Sequence, residues 1–105
     1  MATRSEIYFN YNQAINQARR LEDIARNVER LSNNDMNNTV SEIQTAWQSD
    51  SSRAYISKAQ RVQGNIVKDA AKVRKVASTI RDTAERIKNA ELAALEIAER
   101  RTYNL

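Results

Sequence analysis

The sequence predicts an all-α protein, an antiparallel two-helix hairpin of coiled-coil type that assembles into a four-helix bundle. Three observations predict this fold. The chain of 105 residues contains one Gly and no Pro, so few positions interrupt a helix. Two long segments place apolar residues at alternating steps of four and three, as in a coiled-coil seam. A short polar cluster separates the two segments, and the length suits one domain over residues 1–105.

The first helix is predicted over about residues 8–47. Its seam consists of Ile7, Tyr11, Ala14, Ala18, Leu21, Ala25 and Val28, and it continues through Met36, Val40, Ile43 and Trp47. The Asn-rich stretch 32–38 favours helix poorly, and Thr39 and Glu42 have the spacing of a capping box, which favours a new helix start. Because the seam continues across this stretch, we predict a single helix that is distorted near residues 33–38.

The turn is predicted at about residues 48–51. Three candidate N-cap residues lie there, namely Ser49, Asp50 and Ser51. We expect Trp47 to fold its ring over this turn and anchor it, with Tyr55 packed below the ring. Since a tight turn makes two helices antiparallel, the second helix, over about residues 52–101, returns alongside the first.

The second helix carries alternating columns of large and small apolar residues. The columns, seven residues apart, are Ile66, Val73, Ile80 and Ile87 for the large side chains and Ala70, Ala77 and Ala84 for the small ones. The seam begins with Tyr55, Ala59 and Val62. An alanine column lets a neighbouring backbone approach closely, so we expect helix spacing near the short end of about 8–10 Å. Gly64 indicates either a close contact with a neighbouring backbone or a soft spot, that is, a position where the low helix propensity of Gly weakens this helix.

Apolar residues outside the seam point to a binding surface. On the first helix they widen the apolar arc to roughly 200°, which one neighbouring helix does not cover. The candidate partner-binding flank is Tyr8, Ile15, Ile24 and Leu31. Near the end of the second helix the seam is lost, and we expect an overhang that frays or docks through Leu92, Leu95 and Ile97. The alternative is that these are isolated exposed apolar residues without a role.

Charge and composition narrow the function classes. The net charge is +4. The segment from Arg53 to Lys88 contains ten basic residues and only three acidic ones. Such a stripe is either a solvated helix face or a surface for an acidic partner or a phosphate backbone. We expect Asp69 on the rim, paired with Lys72 or Lys68. The chain has no His, no Cys and no Gly-rich phosphate loop, so we predict no enzyme activity, no metal site and no cofactor.

The order of a long helix, a Trp, a short polar turn and a second long helix resembles the W-x-G superfamily of small proteins exported by type VII secretion systems. The matching stretch is VSEIQTAWQSDSSRAYISKAQRV. The family's Gly falls at Ser49, so the motif reads W-Q-S. The family's export signal, a Tyr followed four residues later by an acid, is missing, because Tyr103 is followed by Asn104 and Leu105. The resemblance therefore implies a variant without its own signal that acts as a co-secreted partner or targeting factor. Such a protein binds a helical domain of an effector or toxin, or itself.

Two other function classes stay open at this point. One is a basic coiled coil that binds nucleic acid, which the few aromatic residues and the lack of a Gly-rich basic tail disfavour. The other is a structural coiled-coil subunit of a larger assembly. No apolar run is long enough for a transmembrane segment, and the first residues lack the apolar core of a signal peptide. We therefore expect a cytoplasmic protein before export, and secretion without a cleaved signal peptide.

Overall fold

A computed structural model describes residues 2–103 and confirms the all-α helical hairpin. Its elements are α1 (Arg4–Arg30), a π-helical segment (Leu31–Met36), α2 (Asn37–Ala46) and α3 (Asp50–Tyr103). The helix bounds lie within four residues of the predicted ones. The prediction that the export signal is absent falls on the side chain of Tyr103 and on Asn104 and Leu105, which lie outside the described residues. Assembly into a four-helix bundle stays a prediction.

The chain divides into two compact units, and the first and last helices run antiparallel within each. The first unit joins the chain before Leu21 to the chain after Arg74. The second unit is Leu21–Arg74 and includes the π-helical segment, α2 and the turn.

The first unit is built on small buried residues. Ala18 and Ala77 are fully buried, and Ile7 and Ala84 are buried as well. The alanine columns therefore do face the opposite helix, as predicted, which permits close packing of the two backbones.

The start of α1 pairs with the end of α3, so the predicted overhang is wrong. Thr3 caps α1 by accepting a hydrogen bond from the Glu6 N–H at 3.2 Å, and the helix therefore begins at Arg4. The guanidinium of Arg4 then lies 3.3 Å from the carboxylate of Glu99. A Thr followed three residues later by Glu is a capping-box pattern, so the sequence itself carries a signal for this earlier helix start.

The π-helical segment shifts the register of the first helix by one residue. Steps of three and then four from Ser32 would bring Asp35 and Thr39 onto the seam. A π-helical turn holds an extra residue, and the structure instead places Met36 half-buried and Val40 buried, while Asp35 and Thr39 are exposed. The distortion predicted near residues 33–38 is therefore confirmed, and it keeps Asp35 and Thr39 out of the core.

No new helix starts at Thr39. The hydroxyl of Thr39 donates a hydrogen bond to the carbonyl oxygen of Asp35 at 3.0 Å, which is the i−4 bond of a residue inside a helix. The capping-box interpretation of Thr39 and Glu42 is therefore wrong, and the helix continues.

A polar side chain of α3, Gln63, forms hydrogen bonds with the π-helical segment and the residue that follows it. Ser32 is 1% exposed, and its hydroxyl donates to the carbonyl oxygen of Gln63 at 3.4 Å. The Gln63 amide donates to the carbonyl oxygen of Ser32 and to Oδ1 of Asn37, both at 2.8 Å. A π-helical turn disturbs the regular i−4 hydrogen bonds, so this cross-helix contact stabilises the register shift.

Replacing Gln63 by Ala is expected to lower the free energy of unfolding by about 1–2 kcal/mol, because a part-buried hydrogen bond to Ser32 and an exposed one to Asn37 are lost. Chemical denaturation followed by circular dichroism measures the change. Gln60→Ala, at an exposed position of the same helix, is the control and is expected to change stability by less than about 0.5 kcal/mol. Equal effects of the two substitutions would show that the cross-helix contact contributes nothing.

Of the three candidate N-cap residues, Ser49 is the one that caps α3. Its hydroxyl accepts a hydrogen bond from the Ser52 N–H at 3.2 Å, and the Ser52 hydroxyl accepts one from the Ser49 N–H at 2.9 Å. This reciprocal pair is a capping box with Ser in place of the usual Glu or Gln. Ser52 is 1% exposed, and the short side chain fits that position. Asp50, in the first turn, pairs instead with Arg53 at 2.7 Å.

Gly64 is a soft spot and not a close contact. A Cβ atom added there would meet no atom within 4 Å, and the backbone conformation is one that any residue adopts. Gly64→Ala is therefore expected to raise the free energy of unfolding by about 0.5–1 kcal/mol, since Ala loses less conformational entropy in a helix. Thermal denaturation tests it, and a lowered melting temperature would contradict it.

Candidate protein-interaction surfaces

Trp47 ends α2 and leaves half of its side chain exposed. Its backbone is extended, with φ −134° and ψ 101°, and its N–H donates to the Ile43 carbonyl oxygen at 2.9 Å. The ring borders an open groove of about 500 Å³ beside the turn, lined also by Gln44, Gln48, Ser49, Ser52, Arg53, Ile56, Ser57 and Gln60. Trp47 therefore terminates the helix as predicted and borders the turn residues, and half of it remains exposed; its anchoring of the turn stays a prediction.

Tyr55 does not pack below Trp47. It is 55% exposed and lines a different groove, of about 300 Å³, with Leu31, Asp35, Met36, Thr39, Val40, Ile43 and Ala59. Ile56 is the residue that is buried beside Trp47. The seam of α3 near the turn therefore runs through Ile56 and Gln63, and not through Tyr55 and Val62, because only the former pair lies at whole heptads from Ala70.

The polar side chain of Gln63 concealed this seam in the sequence. A signal was available, since Ile56 precedes Ala70 by two heptads. Reading the heptads back from the buried alanines, and accepting one polar seam position, identifies Ile56.

Four exposed apolar residues of the second unit form a surface that we name the Tyr55 face: Ile24, Leu31, Tyr55 and Val62. Ile24 and Leu31 are seven residues apart, so they lie on one side of the first helix. Tyr55 and Val62 have the same spacing in α3. Leu31 and Tyr55 line the same groove, so the two helices contribute to one surface.

The remaining residues of the predicted flank belong to the first unit. Tyr8 is exposed there, and Ile15 is half-buried. The candidate docking residues of the C-terminal part also lie in this unit. Ile97 is exposed, whereas Leu92 and Leu95 are half-buried, since α1 reaches the level of Glu99. Leu92 and Leu95 are therefore not the free overhang that we expected.

A salt bridge between Arg74 of α3 and Glu29 of α1 joins the two helices of the second unit. The guanidinium of Arg74 donates two hydrogen bonds to the carboxylate of Glu29, both at 2.8 Å. The hydrogen bond from Arg74 lowers the pKa of Glu29 below its usual value, and the nearby charge of Arg26 acts in the same direction. This is the bidentate geometry that makes Arg–carboxylate pairs specific.

Acid is expected to weaken the fold partly through Glu29. Because its folded pKa is lowered, ionised Glu29 stabilises the fold above its ordinary pKa of 4.5, and this stabilisation is lost as the pH falls through the lowered value. Glu29→Gln should therefore show a smaller drop in melting temperature between about pH 7 and about pH 3 than the parent chain. Glu42→Gln removes an exposed carboxylate and is the control. An unchanged drop in Glu29→Gln would contradict the role.

Many basic side chains of α3 remain exposed. Three of them form what we name the basic row: Lys58, Arg61 and Lys68. No ion pair involves these three within residues 2–103. Lys72 contacts Asp69 at a long 3.9 Å, which confirms the predicted rim position of Asp69. In the first unit, the ammonium of Lys88 lies 4.3 Å from the centre of the Tyr11 ring, a cation–π contact.

The described part of the chain contains no group of three side chains that could hold a metal ion, and none of its helices has an apolar stretch sufficient to cross a bilayer. Comparisons of the chain with protein-family models, with curated proteins and with solved structures find no match.

Proposed function

We propose that this chain is a non-enzymatic interaction protein of a type VII secretion system. In this role it is a co-secreted partner or targeting factor, which binds a helical domain of an effector or toxin, or a second copy of itself. Two features support the proposal: the hairpin with Trp47 at the end of its first arm, and the resemblance of residues 40–62 to the W-x-G superfamily.

The observation that carries the proposal is the Tyr55 face. Its four large apolar side chains are each about half exposed, and they come from both arms of the hairpin. A groove bordered by exposed apolar side chains, here Leu31 and Tyr55, is typical of a site for another protein, and two helices that flank a groove suit a third amphipathic helix. Burial of the face by a partner helix is the mechanism that we propose.

Co-purification with the product of a neighbouring gene tests the proposal. We expect a tagged chain to retain such a partner, and a double variant, Ile24→Glu with Val62→Glu, to lose it. Val76→Glu, at an equally exposed position of the first unit, is the matched control and should retain the partner. A chain that retains no neighbouring product and sediments as a monomer at high micromolar concentration would contradict the proposal.

The basic row favours a second candidate function, nucleic-acid binding. Lys58, Arg61 and Lys68 are exposed and lack ion pairs within the described residues, so they could contact phosphates. Binding of this kind falls steeply with salt, because each phosphate contact releases counterions. Titration with a short DNA duplex at two salt concentrations tests it, and an absence of binding at low salt would exclude it.

A further inference from the structure

The two rims of the Tyr55 face differ in charge. On the α3 side, Lys58 follows Tyr55 by three residues and precedes Val62 by four, so it lies beside both side chains. Arg61 and Lys68 extend the basic row along the same helix, and the one carboxylate on the Tyr55 side of it, Asp69, seven residues after Val62, is offset by Lys72 at 3.9 Å. On the opposite rim, Asp35 lines the groove.

The basic row leaves charge to be compensated by a partner. Neither Lys58 nor Arg61 makes an ion pair within residues 2–103, and both are exposed. Several other basic residues of the second unit pair with carboxylates, as Arg74 does with Glu29 and Arg53 does with Asp50. A partner on the Tyr55 face that placed carboxylates beside Lys58 would gain electrostatic complementarity in addition to apolar burial.

We infer that the partner of the Tyr55 face is an amphipathic helix with acidic residues along the edge that meets α3. This inference rests on the proposed function and names the chemistry of the partner at that site. Apolar side chains of the partner helix bury Leu31, Tyr55 and Val62, while its Asp or Glu residues contact Lys58 and Arg61. The carboxylate of Asp35 on the other rim would repel the acidic edge of the partner helix, so it disfavours a placement in which that edge faces the first arm.

Other occupants fit these observations less well. A nucleic acid would contact the basic row but would leave the apolar side chains of Tyr55 and Val62 in water. A second copy of the chain carries the same net charge of +4, so the long-range repulsion opposes association. An acidic helix satisfies both the apolar face and its basic rim.

Two synthetic helical peptides provide the probe. Each is about four heptads long, with Leu at every a and d position. One peptide carries Glu at every e and g position and the other carries Lys there, so that like charges keep each from pairing with itself. Fluorescence anisotropy of the labelled peptides with the full chain measures binding. We expect the glutamate peptide to bind at least about tenfold more tightly than the lysine peptide.

Charge-reversal variants locate the contact. Lys58→Glu with Arg61→Glu is expected to weaken binding of the glutamate peptide at least about tenfold. The control is Lys75→Glu with Arg86→Glu, which makes the same change in net charge at exposed positions of α3 in the first unit. The control should change the affinity less than about twofold, since distant exposed charges are screened. Circular dichroism of both variants verifies that they fold.

Several outcomes would overturn the inference. Equal loss of affinity in both double variants, with a DNA duplex bound as tightly as the peptide, would show a nonspecific polyanion surface. Self-association that Lys58→Glu with Arg61→Glu abolishes, without peptide binding, would show that a second copy occupies the face. If neither peptide binds but an effector co-purifies through Ile24 and Val62, the inference is wrong while the proposed function stands.

Discussion

Replacing Ile56 by Ala is expected to lower the free energy of unfolding by about 2–4 kcal/mol, because the substitution removes a buried side chain from the seam next to the turn. Ile56 is 6% exposed and is one of the few large apolar residues of the second unit that are buried. Denaturation with urea, followed by circular dichroism, measures the loss through the shift of the midpoint at constant slope.

Trp47→Ala is the informative comparison. Truncation of a fully buried Trp costs about 3–5 kcal/mol, but half of Trp47 is already exposed, so we expect only about 1–2 kcal/mol. A ranking in which Trp47→Ala destabilises more than Ile56→Ala would contradict the burial pattern at the turn and would show that the Trp is its anchor.

Ala77→Leu is expected to destabilise the first unit by about 2–3 kcal/mol, since the added atoms have no space between the two helices. Ala77 is fully buried, as is Ala18 on the opposite helix. The alternation of small and large residues along α3 depends on this close approach. Thermal denaturation of the variant, together with its urea midpoint, measures the change.

The control for overpacking is Ala93→Leu, at an exposed position of α3 in the same unit. It adds the same atoms where solvent accommodates them, and we expect a change of less than about 0.5 kcal/mol. If both substitutions are tolerated equally, the alanine column is a consequence of helix propensity alone and does not reflect close packing.

Much of the interaction surface was visible in the sequence, though not as one site. Ile24 and Leu31 were predicted to be a binding flank, and the structure leaves both exposed. Their association with Tyr55 and Val62 was not predicted, since Tyr55 and Val62 were assigned to the seam. The polar Gln63 occupies a seam position, and hydrophobic periodicity does not identify an amide that hydrogen-bonds across helices. The apolar pattern therefore assigned Tyr55 and Val62 to the seam in place of Ile56 and Gln63.

The sequence by itself determined the helical class, the single reversal at the turn and the presence of a side-chain cap within residues 49–51. These depend on local chemistry: the scarcity of Gly and Pro, the heptad spacing and a Ser side chain next to free backbone amides. Only the tertiary structure showed the π-helical turn after Ser32 by which the predicted seam residues Met36 and Val40 reach the core, and only it placed Ile56 and Gln63 in the seam of α3. The π-helical turn adds one residue there, and Gln63 supports it from the other helix. Register of this kind is a property of two helices in contact, so neither segment specifies it alone.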